Sequence, residues 1–213
     1  DAVLICVDFE AYEHNQSLVT EIGVALLDTV DIPHPARGLK EQDAATPSNS
    51  DIGSRTSALV DKIKYAHFRP IEYRKLVNRR FLKGCEEGFL FGTTAWISQR
   101  DVYRVVESIF QDPSRIAEAA DFKADAIVNQ ARNIIIVGHG LSNDTKYMRT
   151  FGLDPYRIAK IVRRVDTQVL AGSTKKAQVG LKRLLSGLGT PGQNWHNAGN
   201  DAAFTLQALL AMA

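Results

Sequence analysis

The chain has 213 residues, 26 Lys and Arg against 24 Asp and Glu, and a formal charge of +2. Hydrophobic residues make up 45 % and charged residues 23 %, which excludes a disordered or fibrous chain and fits a soluble globular one. The near-neutral charge argues neither for nor against a nucleic-acid partner. Cys6 and Cys85 lie far apart with no metal spacing, which argues against a disulfide framework and for a reducing, intracellular compartment, cytoplasmic or nuclear. No signal peptide or membrane-length apolar run is present. The expectation is a single domain, 1–213, excised from a longer chain, since it starts almost directly with a strand and stops inside a helix.

Val3-Leu4-Ile5-Cys6-Val7 reads as a central strand ending at Asp8. Leu18 to Leu27 is a second strand, interrupted by Glu21 and Gly23. Residues 31–57, rich in Pro, Asp, Ser, Thr and Gly, read as a poorly ordered excursion. Tyr65 to Tyr73 is a third strand, with Pro70 placing it at an edge. Arg100 to Phe110 and Ser114 to Ala131 carry helical periodicity. Ile134-Ile135-Ile136-Val137 is the strongest strand, stopped by Gly138-His139-Gly140. Ser142-Asn143 offers a cap for the next helix, which contains Asp144 and ends near Gly152 and Pro155. A last strand runs from Ile161 to Asp166-Thr167, and helices cover Leu181 to Leu188 and Ala198 to Met212. This order predicts an α/β fold. Its mixed five-stranded sheet has antiparallel early strands, parallel later ones and flanking helices, with an insertion after the second strand.

Active sites of such sheets gather at the carboxyl ends of strands. Asp8 and Glu10 leave the first strand there, and alternate positions on an extended segment point to one side. Asp144 falls in the first turn of its helix, and Asp201 projects from the closing one. His196 precedes Asp201 by five residues, so it can lean over that carboxylate. The helix end favours neutral imidazole, as a general base requires. Each residue alone has a plain structural reading, as a solvated strand end or a helix cap. Together they form an oxygen-rich set that selects Mg²⁺ or Mn²⁺, and two such ions serve phosphoryl transfer.

Asp8-Phe9-Glu10, Thr20-Glu21-Ile22-Gly23, Gly138-His139 followed by Asp144, Asp166-Thr167, and His196-x-Ala198-x-x-Asp201-Ala202 stand in an order that resembles the DEDDh exonucleases. These belong to the DnaQ-like group of the ribonuclease H-like superfamily. The resemblance covers nearly the whole chain. It implies that Asp8, Glu10, Asp144 and Asp201 bind two divalent ions, with His196 as general base. The middle segment, with His67-Phe68-Arg69, Gly84-Cys85 and Phe89-Leu90-Phe91-Gly92, is similar to fungal members. Those are proteins linked to messenger-RNA export and the Argonaute-associated exonuclease of fungal RNA silencing. Two positions depart from the family pattern: Ala11 replaces the usual hydroxyl residue, and Gly140 the Asn after the second-motif His. Both touch expected substrate contacts.

Phe9, Ala11, Arg79 and Arg80 are therefore expected at the substrate. Basic clusters at residues 69–83, at Arg163 and Arg164, and at residues 175–183 could hold a phosphate backbone, although each alone fits a solvated face. Phe68, Tyr73 and Phe81 could stack on bases or fill the core. Trp195 is expected under the His196 loop. The resulting expectation is a two-metal 3′–5′ exonuclease that releases nucleoside monophosphates from single-stranded RNA or DNA. The fungal resemblance favours RNA and an RNA-processing or silencing protein as partner; no membrane is involved. The rival reading is a non-catalytic RNA- or protein-binding module on a nuclease fold, and a zinc hydrolase is a distant third for want of His-rich spacing.

Overall fold

A computed structural model describes residues 1–32, 56–114, 116, 132–190 and 192–213. Most of the expected excursion at 31–57 and of the expected helix at 114–131 lies outside these residues. The described strands are β1 (Val3–Tyr12), β2 (Asn15–Asp28), β3 (Lys64–Pro70), β4 (Ala95–Ile97), β5 (Asn133–Gly138) and β6 (Lys160–Asp166). They form one sheet in the order β4-β3-β2-β1-β5-β6. The helices are α1 (Val102–Gln111), α2 (Leu141–Thr150), α3 (Pro155–Ile158), α4 (Thr167–Leu170), α5 (Leu181–Gly187) and α6 (Ala198–Met212).

β1 pairs antiparallel with β2 through a two-residue turn, and β2 antiparallel with β3 across the long insertion at 29–63; β5 joins parallel to β1 and β6 parallel to β5. The expected mixed sheet is present, with six strands rather than five. The added strand, β4, is only three residues long and pairs parallel with β3 through Arg69↔Trp96. β3 is therefore not the edge. Pro70 is tolerated because it is the last residue of its strand, where one missing N–H interrupts little.

Strand alternation sorts the sheet into two faces. Val3, Ile5, Val7 and Phe9 of β1, Ile22, Val24 and Leu26 of β2, and Phe68 of β3 share a core with α1 and α2. The opposite face carries Cys6, Ala25 and Leu27 against Ala202 and Leu206 of α6. Asp8, Glu10, Glu21, His67 and Arg69 alternate with the first set, so they stand on the α6 face. Gly23 permits that close packing, because a Cβ there would lie 1.8 Å from the Ala198 carbonyl oxygen.

The start of α2 differs from expectation. Its N-cap is Gly140, left-handed at φ 77°, with no side-chain cap from Ser142 or Asn143. The Asp166 carboxylate instead accepts the N–H groups of Gly140 and Leu141 at 2.9 Å each, and that of Gln168 at 3.0 Å. One carboxylate at the end of β6 thus anchors two helix starts. Gly and Asn both tolerate a left-handed backbone, so Gly140 keeps the turn while giving up a side chain.

Candidate active site

Four elements converge at the carboxyl end of β1. That strand supplies Asp8 and Glu10, α2 supplies Asp144 from its first turn, and α6 supplies Asp201. His196 lies in the loop before α6. Ligand atoms of Glu10, His196 and Asp201 all lie within 4.8 Å of one another, a group able to hold a metal ion. His196 Nδ1 is 3.7 Å from Glu10 Oε1, and the His196 backbone N–H donates to Asp201 Oδ2 at 3.0 Å.

The electrostatics are dominated by carboxylates packed against one another, with the His196 ring at their edge. Burial, then Asp144, Asp201, Glu10 and Glu21, push the Asp8 carboxyl well above its ordinary range. Burial raises Asp144 to about 7, although the Phe9 N–H bonds to it. Burial and then Glu10 raise Asp201 to about 7. Asp201 Oδ1 is buried and has no hydrogen-bond partner among the described residues. An orphaned carboxylate oxygen within a group of like charges fits a hard divalent cation, which would satisfy the oxygen and offset the repulsion.

His196 departs from expectation. Its pKa is raised, not lowered, because the Glu10 carboxylate beside it outweighs partial burial. The helix end does not dominate, since the imidazole turns toward β1. Asn194 and His196 both hold left-handed backbones, φ 53° and 59°. That conformation is uncommon outside glycine and persists where neighbours fix it. Asn194 and Asn200 side-chain amides both donate to the Gly88 carbonyl, and the Asn197 amide donates to Cys85 O. The Cys85 N–H returns a bond to His196 O. Three Asn residues at three-residue spacing thus tie the His loop to the 84–90 segment. Trp195 packs on Phe204 beneath this loop, as expected.

Glu21 and His67 support the site more deeply than the motif reading showed. His67 Nε2 lies 3.0 Å from Glu21 Oε2, and the same oxygen accepts the Ala198 N–H at the start of α6. Both side chains are buried. Glu21→Ala should leave His67 Nε2 and the Ala198 N–H unpaired in the core, while His67 Nδ1 keeps the Thr94 hydroxyl. A loss of about 2–4 kcal/mol is expected in denaturant unfolding. An unchanged midpoint would mean that the pair contributes nothing.

The expected substrate residues separate. Phe9 is buried in the core, 5.9 Å ring to ring from Phe151, and Ala11 is buried as well. Neither side chain offers a surface, and Phe9 reaches the site through its backbone N–H. Arg79 and Arg80 are exposed. Their backbone N–H groups and that of Phe81 converge on the Glu13 carboxylate at 2.8–3.1 Å. Asn78 adds two bonds, to Ala11 O and from the Glu13 N–H, so this loop is clamped to the end of β1. Phe68 fills the core, whereas Phe81 is exposed. Beside His196 and Asp201 lies an open cavity of about 480 Å³ that Lys83, Lys182 and Trp195 also line.

A central strand flanked by one antiparallel pair and two parallel crossovers, with acidic residues at its carboxyl end, is a ribonuclease H-like arrangement. Residues 3–212 match the family model described as DNA polymerase III subunit epsilon-like, C-terminal domain, and the chain belongs to this DEDDh family. It is 25 % identical to the uncharacterized nucleolar protein C2C4.08 of Schizosaccharomyces pombe, over 98 % of this chain and 68 % of that one. Two Saccharomyces cerevisiae proteins match at lower coverage of their own length. Uncharacterized protein YDR514C is 22 % identical over 99 % of this chain and 41 % of its own. Good for full DBP5 activity protein 2 is 23 % identical over 98 % and 35 %. The chain thus spans less than half the length of these two relatives. Among the described residues no helix is long and apolar enough to cross a membrane.

Proposed function

We propose that the domain is a metal-dependent 3′–5′ exonuclease acting on single-stranded nucleic acid, with RNA preferred. The observation that carries this reading is the group of Glu10, His196 and Asp201 around an orphaned buried oxygen, with the buried Asp8 and Asp144 carboxyls close enough to raise one another. The four carboxylates would hold two Mg²⁺ or Mn²⁺ ions, which supply a polarised water and charge neutralisation at the scissile phosphate. His196 takes the water's proton, so it must be neutral when the reaction begins. Exposed Lys83 and Lys182 on the cavity wall neutralise phosphates of the entering strand.

The RNA preference rests on the fungal resemblance. The nucleolar name of the S. pombe relative favours a nuclear location. The name of one S. cerevisiae relative, which refers to DBP5 activity, favours a protein partner as well. A 5′-labelled single strand should shorten stepwise with Mg²⁺ or Mn²⁺ and stay intact in EDTA. A folded protein that binds the strand but leaves it intact with either metal would overturn this reading and support the binding-module one instead.

A further inference from the structure

Three depressions adjoin one another in series. The cavity at His196 and Asp201 shares Lys83 with a second of about 420 Å³, bordered by Asn78 and Arg79. The second shares Glu86 with a third of about 410 Å³, closed by Arg69, Thr94 and Trp96.

Sheet register sets the span beneath this path, since Glu21 and Arg69 are themselves buried. Glu10 lies opposite Glu21, Ile22 opposite Phe68, and Arg69 beside Trp96. Glu10, Glu21, Arg69 and Trp96 therefore form one row on one face, across four adjacent strands. At about 4.8 Å between strands, Trp96 stands roughly 14 Å from Glu10. That distance is about four nucleotides at the 3.4 Å rise of a stacked strand, and fewer if the strand is extended.

The far end of the series has unspent binding capacity. Arg69 is 2 % exposed, yet its Nε has no hydrogen-bond partner among the described residues. Its guanidinium covers one face of the Trp96 ring at 4.7 Å. Trp96 is nevertheless 46 % exposed. A buried cation beside an open indole offers a phosphate partner and a stacking platform together, the pairing that single-strand sites use. Glu86 and Glu87 line the same cavity. Their acceptors disfavour a small anion alone and suit the amino-bearing edge of a base.

We propose that a single strand with its 3′ end at the carboxylate cluster runs over Lys83 and Arg79 and stacks an upstream base on Trp96. The polarity rests on the exonuclease reading; the subsite adds a minimum strand length to it. Binding separates the two, because it needs no cleavage. Oligocytidylates of 2 and about 12 nucleotides, whose bases carry the amino edge, are titrated in EDTA by anisotropy. Trp96→Ala should weaken the longer strand about tenfold and leave the shorter unchanged, while Trp96→Phe restores most of the loss. The chain has two tryptophans. In Trp195→Phe the remaining indole should therefore be quenched by the longer strand and not by the shorter. Equal affinity of wild type and Trp96→Ala for the longer strand, or no quenching, overturns the subsite. If Trp96→Ala fails to fold, Trp96→Phe and the quenching decide. A wild type that binds through Trp96 but never shortens the strand would sink the exonuclease reading and keep the subsite.

Discussion

Asp144→Asn should abolish most cleavage and, at the same time, raise the melting temperature of the metal-free protein at pH 8. The two effects have one cause. Asp144 is 5 % exposed, and its folded pKa is about 7 against an ordinary 3.8, with Asp201 raised equally. A carboxyl whose pKa rises on folding binds its proton more tightly in the native state. Its contribution to stability is fully present below about pH 4 and is lost as pH rises through 7. At pH 8 the metal-free fold therefore holds several buried carboxylates that repel one another. Asparagine keeps an oxygen to accept the Phe9 N–H and removes one charge. A gain on the order of 1–3 kcal/mol corresponds to roughly 3–10 °C for a chain of this size. At pH 5, closer to the unfolded value of 3.8, the gain should be clearly smaller, and it should vanish only below about pH 4. The same charge is what a divalent cation needs, so rate should fall by about 10³-fold or more. Melts in EDTA at both pH values, with a labelled-strand assay in Mg²⁺, measure both effects. Equal melting of variant and wild type at pH 8 would mean that Asp144 is not part of a repelling cluster.

Carboxylates outside the cluster act in the opposite direction. Backbone N–H groups at Phe81, Arg79 and Arg80 lower the Glu13 pKa, and the Gln99 N–H lowers that of Glu72. Their stabilisation is present above the ordinary 4.5 and lost on acidification through the lowered values. The metal-free protein should thus be most stable near pH 5, with saturating Mg²⁺ shifting the maximum upward.

The parts of this molecule that were legible in the sequence are those fixed by local pattern. The apolar run of β1, the β5 run of Ile134–Val137 and the span of α6 follow from periodicity and length. The acidic positions stand just past the apolar run, but β1 does not end at Asp8 as that run suggests; pairing with β2 carries it on to Tyr12, so Asp8 and Glu10 lie within the strand. What stayed hidden depends on distant partners. β4 has three residues and one buried side chain, Ile97, too short to carry a period. The cap of α2 comes from Asp166, 25 residues away, so the nearer Ser142 and Asn143 drew the reading. Glu21 looked like an interruption of an apolar strand because its partner, His67, lies 46 positions on. His196 was placed correctly beside Asp201, but its charge state depends on Glu10, which no local spacing reveals.

That dependence sets the expected behaviour of His196. In the metal-free protein Glu10 holds the imidazolium, so the pKa measured by NMR should lie above the free-histidine value of about 6.5. Adding Mg²⁺ should lower it, because Glu10 would then share its charge with a cation and leave less for His196. The single-turnover rate with metal should show an acidic limb at this lowered value, since protonated imidazole accepts no proton. His196→Ala should lose about 10²–10⁴-fold in the chemical step, the range for a general acid–base group. It should keep strand affinity, as no phosphate contact is removed. Metal affinity distinguishes this role from the alternative that the Glu10–His196–Asp201 group allows, in which the imidazole is itself a ligand. A base leaves calorimetric Mg²⁺ affinity within about threefold of wild type, whereas a lost ligand weakens it by 10-fold or more. A variant with wild-type rate and an unchanged acidic limb would remove His196 from the chemistry altogether.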